Sequence, residues 1–320
     1  MSVNIIIPFY NAAKFIDKTI NSLVTQTYRD IELICVNDGS SDDTLEILQK
    51  WSHKDPRIIV INKENGGIET SLKAGIPYFS KKYTFLIGHD DTLSNDAIEK
   101  AVKEMESSPE IDAVRMKLVV VDENMHISEI KDDTRILDGT QALEETIMHW
   151  KIHNFCLWKT DIFKQINDIT VGGLMNFDEV ATRYLYTKCR KVSFCSGEYY
   201  YLQHSESVTH KLSTRLLDTY AVDYYIKKLL IDANMYSDFK EEFEPYMFGR
   251  LKNMTNLYFE LKSKGFQPTK KDLNKVKLLH TAISFDDLKI KKTVLNRLKY
   301  SLLYSSSFNI YYLYSYIKKR

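Results

Sequence analysis

Along the first hundred residues, apolar runs are followed by polar breaks and then by apolar positions at helical spacing, a rhythm that predicts repeated strand–helix units. Val3 to Ile7 reads as a strand stopped by Pro8, and Asn11 opens a helix to about Gln26 in which Phe15, Ile16, Ile20, Leu23 and Val24 share one face. Ile31 to Val36 is a second strand, ending in Asn37-Asp38-Gly39-Ser40-Ser41-Asp42. A helix with Leu45, Ile47 and Leu48 follows, with Ser40 or Ser41 as its cap. Arg57 to Ile61 is a third strand, and the turn Asn65-Gly66-Gly67 feeds a helix up to about Ile76. In YTFLIGHDDTL, Tyr83 to Leu93, the apolar Phe85, Leu86 and Ile87 pass directly into Gly88, His89, Asp90 and Asp91, before a helix from Asn95 to about Glu106. Strands alternating with helices in this way require a parallel sheet with helices on both faces.

Beyond Ile111 the pattern is less regular. Ala113 to Val121 reads as a strand with His126 to Ile130 as its antiparallel partner, and Asp138-Gly139-Thr140 starts a helix through Ile147. Phe155 to Trp158 is another strand and Lys159 to Phe163 a short helix. A helix follows Gly172-Gly173, with Val180, Tyr184 and Leu185 at helical spacing, and then a strand from Lys191 to Tyr201. From Leu216 to Ile231, Phe243 to Leu261 and Leu273 to Ile283 the periodicity is helical throughout. The expected organisation is an α/β domain over 1–210, in two halves at 1–108 and 109–210, followed by a helical region over 211–320.

The polar residues fall where chemistry can use them. Tyr10 and Asn11, Asp38, Asn65 with Gly67, and Asp90 with Asp91 all follow strand ends, so they converge on one rim of the sheet, where open α/β sheets bind ligands. Adjacent carboxylates there are hard oxygen ligands suited to Mg²⁺ or Mn²⁺ that also holds a diphosphate. Taken alone, an Asp-Asp pair before a helix is equally a turn that caps it.

Composition narrows the class without naming it. The chain is 44% hydrophobic and 27% charged with a net charge of +1, ordinary for a globular protein. No apolar run approaches the ~20 residues that span a bilayer, and MSVNIIIPFYN reads as a first strand rather than a leader. Cys35, Cys156, Cys189 and Cys195 are scattered without zinc-type spacing, which favours buried, reduced thiols and a cytoplasmic setting.

The run IIIPFYNAAKFIDKTINSLVTQTYRDIELICVNDGSSDDT resembles the opening of the family 2 glycosyltransferases of GT-A fold, and the similarity continues through ENGGIETSLKAGI and FLIGHDD. It returns at NFDEVATRYL and YYYLQHSESVT, covering about the first two thirds of the chain. The resemblance implies a mostly parallel central sheet of GT-A type with helices on both faces. It further implies an inverting transferase of hexosyl or N-acetylhexosaminyl groups, using a nucleotide-diphospho-sugar (a UDP-sugar) and Mn²⁺ or Mg²⁺. Pro8, Tyr10, Asn11 and Asp38 would cradle the base, a tyrosine offering a stacking face and a carboxylate accepting the uracil imide N–H. Asn65, Gly67, Lys73 and Asp90 complete the expected donor site, with Asp90, Asp91 and His204 as metal ligands. Asp178, aligned with the family's Glu-Asp motif, would be the general base that takes the proton of an acceptor hydroxyl, in preference to Glu179.

Departures from the family pattern are Gly88 where the Asp-x-Asp motif opens with an acid, Leu72-Lys73 for Arg-Asn, Phe177 for the first acid of Glu-Asp, and Leu202 for an Arg. Asp90 and Asp91 could divide ribose contact and metal ligation either way, and Lys73 is either a phosphate cation or a solvated helix residue. These departures keep two rivals open: a non-catalytic nucleotide-sugar-binding or scaffold protein of the same fold, and a nucleotidyltransferase. The latter commonly carries a Gly-rich basic loop after the first strand, which PFYNAAKF lacks. The expected acceptor is a glycan or lipid-linked saccharide, in assembly of bacterial surface polysaccharide or lipooligosaccharide. No Asp or Glu follows Asp287, while Lys289, Lys291, Lys292, Arg297, Lys299, Lys318, Lys319 and Arg320 do. Around the Tyr-rich SLLYSSSFNIYYLYSYI, that charge suits either peripheral contact of 288–320 with an anionic membrane or a packed helix with a solvated basic end. Nucleic acid is not an expected partner, because no recognition motif accompanies the charge.

Overall fold

A computed structural model of the chain describes residues 2–205, 211–288 and 307–319. Strands β1 (Val3–Phe9), β2 (Ile31–Asp38), β3 (Ile58–Lys63) and β4 (Tyr83–Leu86) form a parallel sheet in the order β3-β2-β1-β4. They alternate with helices α1 (Ile16–Val24), α2 (Thr44–Lys54) and α3 (Gly67–Gly75), and α4 (Ala97–Glu106) follows the short strand β5 (Thr92–Leu93). Successive residues Ile5, Ile6 and Ile7 are all fully buried, so both faces of the central strand are covered, as a parallel sheet demands.

The sheet then changes character. Antiparallel β8 (Cys156–Lys159) joins β4, and next come β6 (Ile111–Val121), β9 (Lys191–Leu202) parallel to β6, and finally β5. Strand β7 (Ile127–Lys131) pairs antiparallel with β6, as its alternation predicts. Helices α5 (Gly139–Glu144), α6 (Thr160–Phe163) and α7 (Phe177–Tyr186) complete this half. Asp138 caps α5 in a reciprocal box with Gln141, which is why Asp138-Gly139 reads as a helix start.

Three local expectations are corrected. Pro8 does not stop β1, which runs on to Phe9 with Pro8 in register opposite Val36. Helix α1 starts at Ile16 and not at Asn11, because Asn11 adopts φ +49°, a left-handed conformation that no α-helix contains. Neither Ser40 nor Ser41 caps α2. Asp42 receives the Thr44 N–H at 3.1 Å, while both serines bond to Asn11 instead.

One buried polar residue sets β1 against its neighbours. Asn4, wholly buried, donates through Nδ2 to the Tyr83 carbonyl at 3.1 Å and Thr84 Oγ1 at 3.2 Å, and its Oδ1 accepts the N–H groups of Ser80 and Lys81, each at 3.2 Å. Those bonds hold the entry of β4, the strand that leads to Asp90.

The chain divides into two compact units, Met1–Gly173 with Phe177–Ser207, and Leu174–Asn176 with Val208–Arg320. The second contains helices α8 (Asp218–Asp232), α9 (Tyr236–Ser263), α10 (Lys270–Ala282) and α11 (Phe308–Lys319). Within it Lys227 pairs with the buried Glu244, which also accepts Tyr236 OH and the Ser284 N–H. Of the basic C-terminal residues, Lys289 to Lys299 and Arg320 lie outside the described residues. Among the described residues no helix is long and apolar enough to cross a membrane.

Replacing Asn4 by Ala leaves the part-buried N–H groups of Ser80 and Lys81, and the acceptors Tyr83 O and Thr84 Oγ1, without their Asn4 partner, and is expected to cost about 1–3 kcal/mol. Urea unfolding followed by Trp fluorescence should show the midpoint falling accordingly; an unchanged midpoint would assign Asn4 no structural weight.

Candidate functional site

The rim at the carboxyl ends of β1, β2 and β3 is organised by Asp38. Its Oδ1 accepts Lys63 Nζ at 2.5 Å and the Gly66 N–H at 3.0 Å, and its Oδ2 accepts the Gly67 N–H at 2.7 Å. A carboxylate offers about four acceptor directions, so one remains on Oδ2. The turn that supplies those N–H groups needs glycines: Gly67 has φ +81°, and a Cβ on Gly39 (φ +68°) would lie 2.6 Å from the Asn65 backbone nitrogen. Lys63 stands opposite Asp38 in the β2–β3 register and was not singled out by the sequence, because only strand pairing brings the two together.

Beside this turn, Asn11 clips the end of β1 to the loop after β2: its N–H donates to Ser40 Oγ at 3.0 Å and its Oδ1 accepts the Ser41 N–H at 2.8 Å. The clip leaves Tyr10 standing 42% exposed at the rim, with a ring face free for stacking. Pro8 is half-buried. His89 is wedged against the rings of Phe9 and Phe15, and burial lowers its pKa.

Asp90 and His204, 114 positions apart in the chain, meet at the next strand end, with Asp90 Oδ2 3.0 Å from His204 Nε2. The imidazole packs on Phe15 at 4.6 Å between ring centroids, and its Nδ1 is buried without a hydrogen-bond partner. Asp91 turns the other way. Its Oδ2 accepts Tyr199 OH at 2.5 Å and its Oδ1 accepts the Leu202 N–H at 2.9 Å, and the side chain is buried. Burial first, and then the Asp90 charge, raise its pKa. The expectation that Asp91 is a metal ligand is therefore corrected: its oxygens tie the β4–β5 turn to the end of β9, where His204 follows.

Gly88 explains the departure from Asp-x-Asp. A Cβ there would sit 2.6 Å from Asp91 Oδ2 and 3.1 Å from Asp90 Oδ1, so no side chain fits without displacing the inward Asp91.

Whether a divalent ion suits this pair can be judged from the donor atoms. Two adjacent ligands about 2.1 Å from an octahedral ion stand about 3.0 Å apart, the spacing of Asp90 Oδ2 and His204 Nε2. Among the described residues no group of three or more His, Cys, Asp or Glu is placed to hold a metal. Two protein ligands, with the other positions left to phosphate and water, is the mode that Mg²⁺ commonly adopts. The residues fit such an ion.

Lys73 takes neither role open to it from the sequence. Its Nζ bonds Glu69 Oε1 at 3.0 Å and the Ile169 carbonyl at 2.6 Å, and it lies 5.8 Å from the Phe177 ring centroid. Glu69 Oε2 accepts the N–H groups of Val171 and Gly173, each at 3.3 Å. Together these residues of α3 brace the segment that leads to α7, and the placement of Lys73 in the donor site is corrected. Leu72 and Phe177 are likewise buried packing residues, and Leu202 contributes its backbone to Asp91.

Asp178 lies in the first turn of α7, half-buried, with Asn154 Nδ2 3.3 Å from its Oδ2. Burial, then the neighbouring Glu179 charge, push its carboxyl up to about 7. Glu179 differs, being engaged 3.4 Å from Arg183 Nη1 and 3.4 Å from Trp150 Nε1. Burial first, and then the charges of Asp91, Asp90 and Asp178, push the Tyr201 phenol up to about 12. No sequence signal distinguishes Tyr201 from Tyr199 and Tyr200 beside it.

Comparison with known proteins places this arrangement. The family model described as Glycosyl transferase family 2 matches residues 4–166. The chain is 26% identical over 245 residues to Glycosyltransferase GlyA of Streptococcus pneumoniae serotype 4, covering 73% of this chain and 35% of that protein. It is 38% identical over 102 residues to the chondroitin synthase of Pasteurella multocida, covering 32% of this chain and 11% of that protein. The chain thus spans about a third of the length of the first and about a tenth of the second. In three dimensions it is similar to residues 1–349 of S. aureus TarS in complex with UDP-GlcNAc, with a TM-score of 0.62 and 17% identity over 100% of this chain and 92% of that one. That likeness establishes the fold, and the expected GT-A architecture is borne out.

Gly88→Ala should lower stability by about 1–3 kcal/mol by pushing the Asp91 carboxylate off Tyr199. In an Asp91→Ala background the same change should cost much less, a non-additivity measurable by urea unfolding of the double-mutant cycle. Strict additivity would show that the two do not compete for space.

Proposed function

The chain belongs to glycosyl transferase family 2, and from that premise we propose that it is an inverting glycosyltransferase that moves a sugar from a UDP-sugar to a saccharide or lipid-linked saccharide. The observation that carries this reading is that a chain of this family holds two separate carboxyls: Asp90, 3.0 Å from His204 at a strand end, and Asp178, in the first turn of α7 and raised by burial to about 7. A scaffold protein has no use for the second.

In this reading the uracil stacks on Tyr10 and gives its imide N–H to the remaining acceptor direction of Asp38 Oδ2. Pro8, Asn11, Asn65 and Gly67 shape the pocket walls around it. Asp90 and His204 hold Mn²⁺ or Mg²⁺, which when bound supplies Lewis-acid stabilisation of the charge that grows on the leaving diphosphate. Asp178 accepts the proton of the acceptor hydroxyl as that oxygen forms its bond to the anomeric carbon. The bond from that carbon to the diphosphate breaks, UDP departs with the electron pair, and the anomeric configuration inverts. A carboxyl raised to about 7 is matched to this task, since a base works best when its pKa is near the operating pH. A UDP-sugar is supported by the UDP-GlcNAc complex of TarS, and a role in polysaccharide assembly by the likeness to a chondroitin synthase.

Release of UDP from UDP-GlcNAc and other UDP-sugars in the presence of Mn²⁺ tests the proposal. We expect turnover that EDTA abolishes, that falls with Asp90→Asn and His204→Ala, and that drops by about 10²–10⁴-fold with Asp178→Asn while calorimetric UDP binding persists. Nucleotide binding without turnover of any donor, with or without acceptors, would favour the scaffold reading; pyrophosphate release would favour a nucleotidyltransferase.

The pH dependence has a definite sign. Asp178 must be ionised to act, so kcat/KM should rise about tenfold per pH unit below about 7 and level off above it. A profile flat down to pH 5 would remove Asp178 from the role of base.

A further inference from the structure

Helix α11 presents two opposed faces. Tyr311 is 1% exposed and its OH lies 2.9 Å from Thr255 Oγ1; Tyr312 and Tyr316 pack on Phe259 of α9, and Phe308 meets His280 of α10. Ile310, Leu313 and Ile317 are 44%, 58% and 64% exposed. At about 100° per residue these three fall within about 60° of one another, opposite the tyrosine face. The helix is thus anchored by its aromatic residues and offers solvent a row of branched aliphatics, the reverse of a solvated helix face.

We propose that the Ile310–Leu313–Ile317 face of α11 is a docking surface for an anionic lipid bilayer. The charge pattern selects this occupant. The row ends at Lys318, Lys319 and Arg320, and no Asp or Glu occurs anywhere after Asp287, so the sequence around the row carries charge of one sign only. Aliphatic side chains entering the acyl boundary beside lysines at the headgroup level are what an interfacial helix uses. Each basic residue near an anionic surface adds to the attraction, and that part is screened by salt. A second copy of the chain would instead bring two basic ends together without a carboxylate between them. Tyr311, Tyr312 and Tyr316, which the sequence offered as headgroup anchors, are spent on internal packing; the aliphatics carry the contact. This proposal does not depend on the donor site.

Co-sedimentation of the full chain with sucrose-loaded vesicles tests it. With phosphatidylcholine and phosphatidylglycerol at 3:1, we expect binding at least tenfold stronger than with phosphatidylcholine alone, weakening steeply from 50 mM to 500 mM salt. The triple variant Ile310→Ser, Leu313→Ser and Ile317→Ser should bind at least fivefold more weakly with unchanged far-UV circular dichroism and Tm. If that variant unfolds, Leu313→Glu alone, at an open position, should give the same direction of change. The proposal is overturned if the wild-type chain stays in the supernatant with anionic vesicles, or if both variants sediment as the wild type does. It is equally overturned if analytical ultracentrifugation shows a dimer that the substitutions dissolve. UDP binding measured in parallel keeps a failure here distinct from a failure of the proposed activity.

Discussion

The Asp91 carboxylate, bonded on one oxygen to Tyr199 and on the other to the Leu202 N–H, is the constraint on which the rest of the site depends. It joins the turn after β4 to the end of β9, strands that do not pair with each other. Together with the β5–β9 pairing that follows directly, that bridge holds Asp90 opposite His204. A buried carboxyl is costly, and two donors offset that cost here, while burial and the Asp90 charge raise its pKa. Gly88 is the sequence consequence of that arrangement, since the carboxylate fills the volume that a side chain would need.

A parallel arrangement governs the other end of the rim. Asp38 gathers Lys63 and two turn N–H groups, so the glycine turn is fastened to the sheet by one acidic side chain. Both acids are mostly consumed by structure and leave little for a ligand. What remains for a ligand at the rim is the exposed Tyr10 ring, one oxygen direction of Asp38, and the Asp90–His204 pair. Pre-organised groups of this kind lose little entropy when a ligand arrives.

The acceptor half is set by a different device. Glu69 and Lys73 on α3 hold the segment from Ile169 to Gly173, and α7 follows from Phe177. Asp178 has its carboxyl raised by burial first and by the Glu179 charge second, while Glu179 itself lies against Arg183 and Asp178 has an amide for its partner.

The sequence by itself determined the strands, their order of appearance, and the fact that Tyr10, Asp38, Asn65 and Asp90 lie at strand ends, because periodicity and turn chemistry are local and survive without a partner. It also carried the family, through blocks of residues in register. It could not show that Asp91 points inward, that Lys73 is drawn to Ile169, or that Tyr311, Tyr312 and Tyr316 of α11 face its neighbours. Nor could it find Lys63, Tyr199 or Tyr201, whose importance comes from residues 25, 108 and, for Tyr201, many positions distant. Those choices were made by the tertiary structure, since a side chain's role is decided by which donors, charges and rings stand within a few ångströms of it, and distance in space is not encoded in distance along the chain.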